Sequence, residues 1–158
     1  YDADRERLFS HIKGDAADDG VDIDNVVVLT GDIHTSWAID LVDDPRKRTI
    51  PASAASPSPI PTSQRYGVEF VTPSVTSPGL PDTGQEGVSL AETLRQVNPH
   101  MSYINFDKRG YMIIEIDETA AQGTGYHLNS ILDREDEEQT VAAVYAVDAG
   151  TNQLVDRA

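Results

Sequence analysis

The stretch Val26-Val27-Val28-Leu29-Thr30-Gly31-Asp32-Ile33-His34-Thr35-Ser36-Trp37 decides how the chain is read. A continuous β-branched run bounded by Asn25 and Gly31 has the pattern of a strand covered on both faces, so residues 26–30 are predicted to form a central strand. The polar residues that follow then lie at the strand's carboxyl end, where open α/β sheets place their ligands. Side chains alternate along a strand, so Asp32 and His34 are expected to point the same way and to reach one metal. A carboxylate oxygen and a neutral imidazole nitrogen suit zinc, manganese or iron, and a carboxylate can bridge two cations about 3.5–4 Å apart. Gly31 would let the backbone turn sharply or let a ligand come close. The same residues also suit a plain turn, which favours Asp and tolerates His without any chemistry.

Outward from this motif the pattern is mixed. Residues 4–13 carry Leu8, Phe9 and Ile12 at helical spacing, with Asp2 or Asp4 to cap the start and Gly14 to end it. Residues 38–42 read as a strand or short turn, and residues 45–64, rich in Pro, Ser and Ala, as an exposed loop or insertion. Strand chemistry returns over 67–72 and stops at Pro73. A polar, turn-rich stretch leads to a helix over 88–97 with Leu90, Leu94 and Val97 on one stripe, closed by Asn98-Pro99. Strands are predicted over 101–107, 110–117, 125–132 and 141–147, the first two joined by a tight hairpin at Asp107-Lys108-Arg109-Gly110. Residues 1–158 are taken as a single domain of the α/β (α+β) class.

With 27 acidic against 12 basic residues the net charge is −15, which repels phosphate backbones. Nucleic-acid binding needs a Lys/Arg patch, and the cluster Arg46, Lys47 and Arg48 is isolated, so no nucleic-acid surface is expected. The acidic clusters around Asp15 to Asp24 and Asp133 to Glu138 read as solvated faces. The absence of Cys excludes disulfides and thiolate metal sites. No apolar run approaches the roughly twenty residues of a membrane span. No Gly-x-Ser-x-Gly is present, against a serine hydrolase. A start at Tyr1 without Met suggests a piece of something longer.

The motif string resembles the final motif of PhoD-like phosphatases, within the calcineurin-like metallophosphoesterase superfamily. Three further blocks agree in order and spacing: residues 67–79 from Gly67 through Pro73-Ser74-Val75-Thr76-Ser77, then Asn98-Pro99-His100, then Arg109-Gly110-Tyr111. In the wider superfamily the last motif reads Gly-His-x-His; Asp32 replaces the first His, as in the PhoD-like branch.

The resemblance implies the C-terminal portion of a four-layer αββα sandwich, this chain contributing one sheet and its covering helices. It implies metal ligation by Asp32 and His34, catalytic roles for His34 and His100, and places for Ser74, Thr76 and Asn98 around the ligands or the substrate. The implied reaction is hydrolysis of phosphate mono- or diesters by a metal-bridging hydroxide, with iron and calcium as cofactors and zinc or manganese as alternatives. The remaining ligands belong to an N-terminal half, which becomes the expected partner, so the isolated chain is expected to be inactive. Family analogy suggests a periplasmic or extracellular location.

Plainer readings accompany each residue. His100 packs beside a helix stop, Ser74 and Thr76 are loop polarity, Trp37 is core, and Arg109 is solvated or in a local salt bridge. Tyr111 and Tyr126 stack on the sheet, and His11 and His127 are ordinary surface or strand residues. The rival function is a non-catalytic acidic domain that holds calcium or a protein partner.

Overall fold

A computed structural model describes residues 1–14, 22–45, 61–77 and 85–158. Among them the elements run α1 (Asp2–Ile12), β1 (Val27–Thr30), β2 (Ser36–Val42), a 3-10 turn (Thr62–Gln64), β3 (Arg65–Val71), α2 (Gln85–Val97), β4 (Met101–Asn105), β5 (Gly110–Ile116), β6 (Ala120–Leu128), β7 (Gln139–Asp148) and β8 (Leu154–Asp156). The strands form two four-stranded sheets, ordered β1-β3-β2-β4 and β5-β6-β7-β8. The α+β sandwich class expected from sequence is therefore present, but with two sheets where one was expected.

The core lies between the sheets. Val68 and Phe70 of β3 and Ala38 of β2 meet Ala121, Val147 and Leu154 of the second sheet. Phe70 is 2 % exposed, and burying such a side chain contributes about 1.5–3 kcal/mol. Its ring needs Gly123 opposite, because a Cβ there would come within 2.9 Å of two ring carbons. Gly123 also explains why the sequence places the third late strand at 125–132: it hides the first half of β6, which starts at Ala120.

The run 26–30 does form a strand, but an edge strand rather than a central one. β1 pairs only with β3, in parallel, and Leu29 stays 58 % exposed. A β-branched run reports a strand that wants cover, and in this chain the cover comes from one neighbour only.

The predicted hairpin at 107–110 is not one. β4 and β5 belong to different sheets, so these residues carry the chain from one sheet to the other. Asn105 Oδ1 accepts the N–H groups of Asp107 and Lys108 at 3.2 and 2.9 Å and turns the backbone out of β4. The true hairpin joins β5 to β6, where Asp117 Oδ1 accepts from Thr119 N and Oγ1, both at 2.6 Å, and from Ala120 N at 3.0 Å. The bond from the Thr119 hydroxyl, followed by those from the backbone, holds the Asp117 carboxyl below its ordinary value.

α1 starts at Asp2, with Tyr1 at the N-cap and no side-chain cap, so Asp2 and Asp4 sit in the first turn instead of capping it. Gly14 ends the helix as expected, at φ 62, and donates to His11 O at 3.1 Å. Phe9 stacks on Tyr66 at 4.1 Å, while Leu8 faces outward. In α2 the inward residues are Ala91 and Leu94; Leu90 and Val97 are exposed. The region 46–60 of the expected loop lies outside the described residues.

Candidate functional site at the carboxyl end of the first sheet

β1 runs parallel to β3, and β2 runs antiparallel to both β3 and β4. β1, β3 and β4 therefore point the same way, and their carboxyl ends gather the loops 31–35, 72–77 and 106–109. This is the end of the sheet that the motif occupies, and where open sheets hold ligands.

Asp32 and His34 lie beyond β1, in the turn that reverses into β2. Ile33 N–H donates to Gly31 O at 2.9 Å, closing a γ-turn around Asp32, whose φ is 71. That sign belongs to the rarer, strained form of the turn. His34 follows at φ 60. Two of the four non-glycine residues with positive φ among those described thus fall in the motif, with Ile33 alone between them. Such strain collects at functional sites and is tolerated best by Asp, Asn and His. The expected mechanism of convergence, strand alternation, does not apply, because neither residue is in a strand. Nor does Gly31 carry the turn: a Cβ there would meet Thr72 Cγ2 at an ordinary 3.5 Å.

The turn rests on a rigid floor. Thr35 is 1 % exposed and its Oγ1 accepts Trp37 Nε1–H at 2.5 Å. Trp37 in turn packs edge-on against Phe106 at 5.6 Å, which bears out its reading as core. Asp32 and Ile33 are exposed above that floor and His34 is half-buried.

Beside it, Thr72 N–H donates to Thr30 O at 3.0 Å, so the loop after β3 starts next to the motif. Ser74 Oγ donates to Ser77 O at 2.8 Å, and Ser74 O accepts Gly110 N–H at 3.1 Å. Thr76 is exposed in the same loop. The sequence suggests a solvated or salt-bridged Arg109, and the structure gives it another task. Its Nε donates to Ser77 O and its Nη1 to Asp107 O, each at 2.9 Å, so one guanidinium ties two of the three loops together. The sequence offered one signal for this, the Arg109-Gly110-Tyr111 block, but a contact between residues 32 apart needs the fold.

His100 and Asn98 are not at this end. Asn105 at the top of β4 pairs with Ser36, whereas His100 O accepts Asp40 N–H at 2.8 Å, four residues further along β2. At ~3.3 Å per residue that is roughly 13 Å of strand. Asn98 caps α2, its Nδ2 donating to Leu94 O at 3.0 Å, and His100 is buried behind it. His127 lies between the sheets, 3.4 Å from Tyr103 Oη, and burial followed by the Lys108 cation lowers its pKa. Burial, with Tyr145 adding, pushes the Tyr103 phenol up to about 12. Tyr111 and Tyr126 stack at 5.0 Å across β5 and β6, as expected.

The donor set at Asp32 and His34 matches a hard or borderline cation in kind but not in number. Among the described residues no group of three or more His, Cys, Asp or Glu could enclose a metal ion. The acidic segment 133–138 spends carboxylates on its own backbone, with Asp133 Oδ1 accepting Glu135 N–H and Asp136 Oδ1 accepting Glu138 N–H. No helix among the described residues is long and apolar enough to cross a membrane.

A family model described as PhoD-like phosphatase matches residues 1–124. The chain is 36% identical over 112 residues to alkaline phosphatase D of Bacillus subtilis (strain 168), covering 71% of this chain and 15% of that protein. It superposes on a solved structure of PhoD with a TM-score of 0.71 and 27% identity, covering 100% of this chain and 26% of that one. The chain therefore spans well under a third of the length of each relative.

Proposed function

The chain belongs to the PhoD-like phosphatase family, and on that premise we propose that it is the C-terminal part of a metal-dependent phosphoesterase acting on phosphate mono- or diesters. The observation that carries this reading is the pair of left-handed residues, Asp32 and His34, raised on a buried floor at the carboxyl ends of three co-directional strands. Strain of that kind at a ligand-facing sheet end is retained where side chains must be aimed.

Asp32 would hold the cation through its carboxylate and His34 through its imidazole, with iron and calcium the first candidates and zinc or manganese the next. The bound ion would polarise the phosphoryl oxygen and lower the pKa of the attacking water. His34 would orient the phosphate or protonate the leaving oxygen, as a positioned imidazole can. Thr76 lies in the neighbouring loop, where its hydroxyl suits a phosphate oxygen, and Ser74, whose hydroxyl donates to Ser77 O, would shape that loop around the substrate. Lys108 and Arg109 add positive charge at the same end of an otherwise acidic protein. His100 and Asn98 act on the fold, at the far end of the sheet. Two ligands leave most coordination positions to water, so the remaining ligands come from elsewhere in the parent polypeptide and this chain alone turns over no substrate. An exported location follows the family analogy.

The test replaces Asp32 by Asn in the full-length parent, measuring bound metal by mass spectrometry and hydrolysis of a chromogenic monoester and diester. Loss of several kcal/mol of charge stabilisation corresponds to about a thousandfold lower kcat/KM. Metal content should fall with it. Unchanged metal content would remove Asp32 from the site.

A further inference from the structure

An arginine beside a phosphate site is expected to clamp the phosphate with its guanidinium fork. Arg109 turns that fork to the protein's own backbone instead, giving Nε to Ser77 O and Nη1 to Asp107 O, each at 2.9 Å. Its main chain is fixed on the second sheet. Arg109 O accepts Leu128 N–H at 2.9 Å from the end of β6, and Gly110 lies so close to that strand that a Cβ would collide with Tyr126 O. Asn105 Oδ1 holds Asp107 and Lys108 from the other side.

What the fork holds is the loop after β3. Ser77 O accepts both Arg109 Nε–H and the Ser74 hydroxyl, the latter at 2.8 Å, and Ser74 O accepts Gly110 N–H at 3.1 Å. The same loop leaves the first sheet beside the motif, where Thr72 N–H donates to Thr30 O at 3.0 Å and Thr72 Cγ2 lies 3.5 Å from where a Cβ on Gly31 would stand. Residues 72–77 thus hang between two supports, the end of β1 in one sheet and the Arg109-Gly110 junction at the start of β5 in the other. Thr76 lies between Ser74 and Ser77, the two residues tied at the second support, and is itself exposed. A lysine ammonium donates from a single atom on a flexible stem, so it does not reproduce a planar fork that reaches two carbonyls on different loops.

We propose that Arg109 is a positioning residue for phosphoester binding: by bridging Ser77 O and Asp107 O it holds the 72–77 loop so that the Thr76 hydroxyl stays within reach of an ester bound at Asp32 and His34. It acts through the loop and does not touch the substrate. The proposal rests on the phosphoesterase reading of this site. A merely stabilising arginine would shift the melting temperature, whereas a positioning one shifts substrate affinity through one particular hydroxyl.

Hydrogen exchange on this chain reads the tether itself. Arg109→Lys should speed exchange of the Gly110 amide, which donates to Ser74 O, about tenfold or more, and leave the Thr72 amide unchanged. In the full-length parent, Arg109→Lys should raise KM for a chromogenic phosphoester about tenfold, with kcat within about threefold and bound metal unchanged. Thr76→Val should raise KM about fivefold in the otherwise unaltered parent but less than about twofold once Arg109→Lys is present, because both act through one contact. Ser74→Ala removes the other donor to Ser77 O and leaves the guanidinium in place, so it should raise KM in the same direction by about threefold even if Arg109→Lys fails to fold. An unchanged Gly110 amide, an unchanged KM in both loop variants, an indifferent Thr76→Val, additive effects of the Arg109 and Thr76 substitutions, or a rise in KM matched by loss of metal would overturn the proposal. The functional reading fails separately, through unchanged metal content in the Asp32→Asn parent, and the exchange result does not depend on it.

Discussion

β2 carries a polar group at each of its ends, and the two are built on opposite principles. At its start the turn that holds Asp32 and His34 is raised towards solvent on a left-handed backbone. At its other end Asp40, 6 % exposed, lies beside Arg65, 5 % exposed, with Arg65 Nε 3.7 Å from Asp40 Oδ2. Asp40 Oδ1 accepts Leu154 N–H at 2.8 Å, and Arg65 Nη1 donates to Gln153 Oε1 at 2.5 Å, so this pair pins β8 to the first sheet. Buried charges whose hydrogen bonds are taken by backbone and neighbours lock a fold. Asp32 and His34, on a strained turn open to solvent, are the groups that the proposed function assigns to a ligand, and the contrast would separate the two roles within one strand.

The largest effect should come from breaking the buried end. Arg65→Met leaves the Asp40 carboxylate in the interior without its cation and should cost about 3–5 kcal/mol, read as the urea midpoint of this chain. A loss below about 1 kcal/mol would mean that the pair is solvated and the contrast is wrong. Next, His100→Ala should lower stability by about 1–3 kcal/mol while the full-length parent keeps its metal content and its kcat/KM within about twofold. Loss of metal with stability intact would move His100 to the site end.

At the exposed end the sign should reverse. His34→Gly relieves a positive φ and should stabilise this chain by about 1 kcal/mol, a rise of roughly 2–4 °C in melting temperature, while removing activity from the parent. Destabilisation would show that the imidazole is part of the packing. The smallest effect concerns His127, midway between the two principles. Its folded pKa lies below the ordinary 6.5, chiefly through burial, so the unfolded chain binds the proton more readily. Stability present above about pH 6.5 should therefore be lost as the pH falls towards the folded value, and His127→Gln should flatten that part of the melting-temperature profile.

Much of this was legible in order along the chain. The apolar run at 26–30, the breaks at Gly14 and Pro73, the helix ending at Asn98 and the late strands all follow from periodicity and backbone chemistry, which are local. Errors arose where a local signal had two tertiary outcomes. Asp107-Lys108-Arg109-Gly110 has turn chemistry whether the next strand pairs with the last or crosses to another sheet. Gly123 falls outside the predicted strand because a missing side chain is a defect locally, and a fit only when Phe70 lies opposite.

The site divides in the same way. The sequence by itself determined that Asp32 and His34 stand together after a strand, and that the blocks around Ser74, His100 and Arg109 recur in a family's order. Only the tertiary structure decided which of these blocks share an end of the sheet: Ser74 and Arg109 with the motif, His100 about four strand positions away. Spacing in sequence sets what a residue can donate and how its backbone turns, but strand direction and pairing set where it arrives. Those depend on long-range burial that no local window contains.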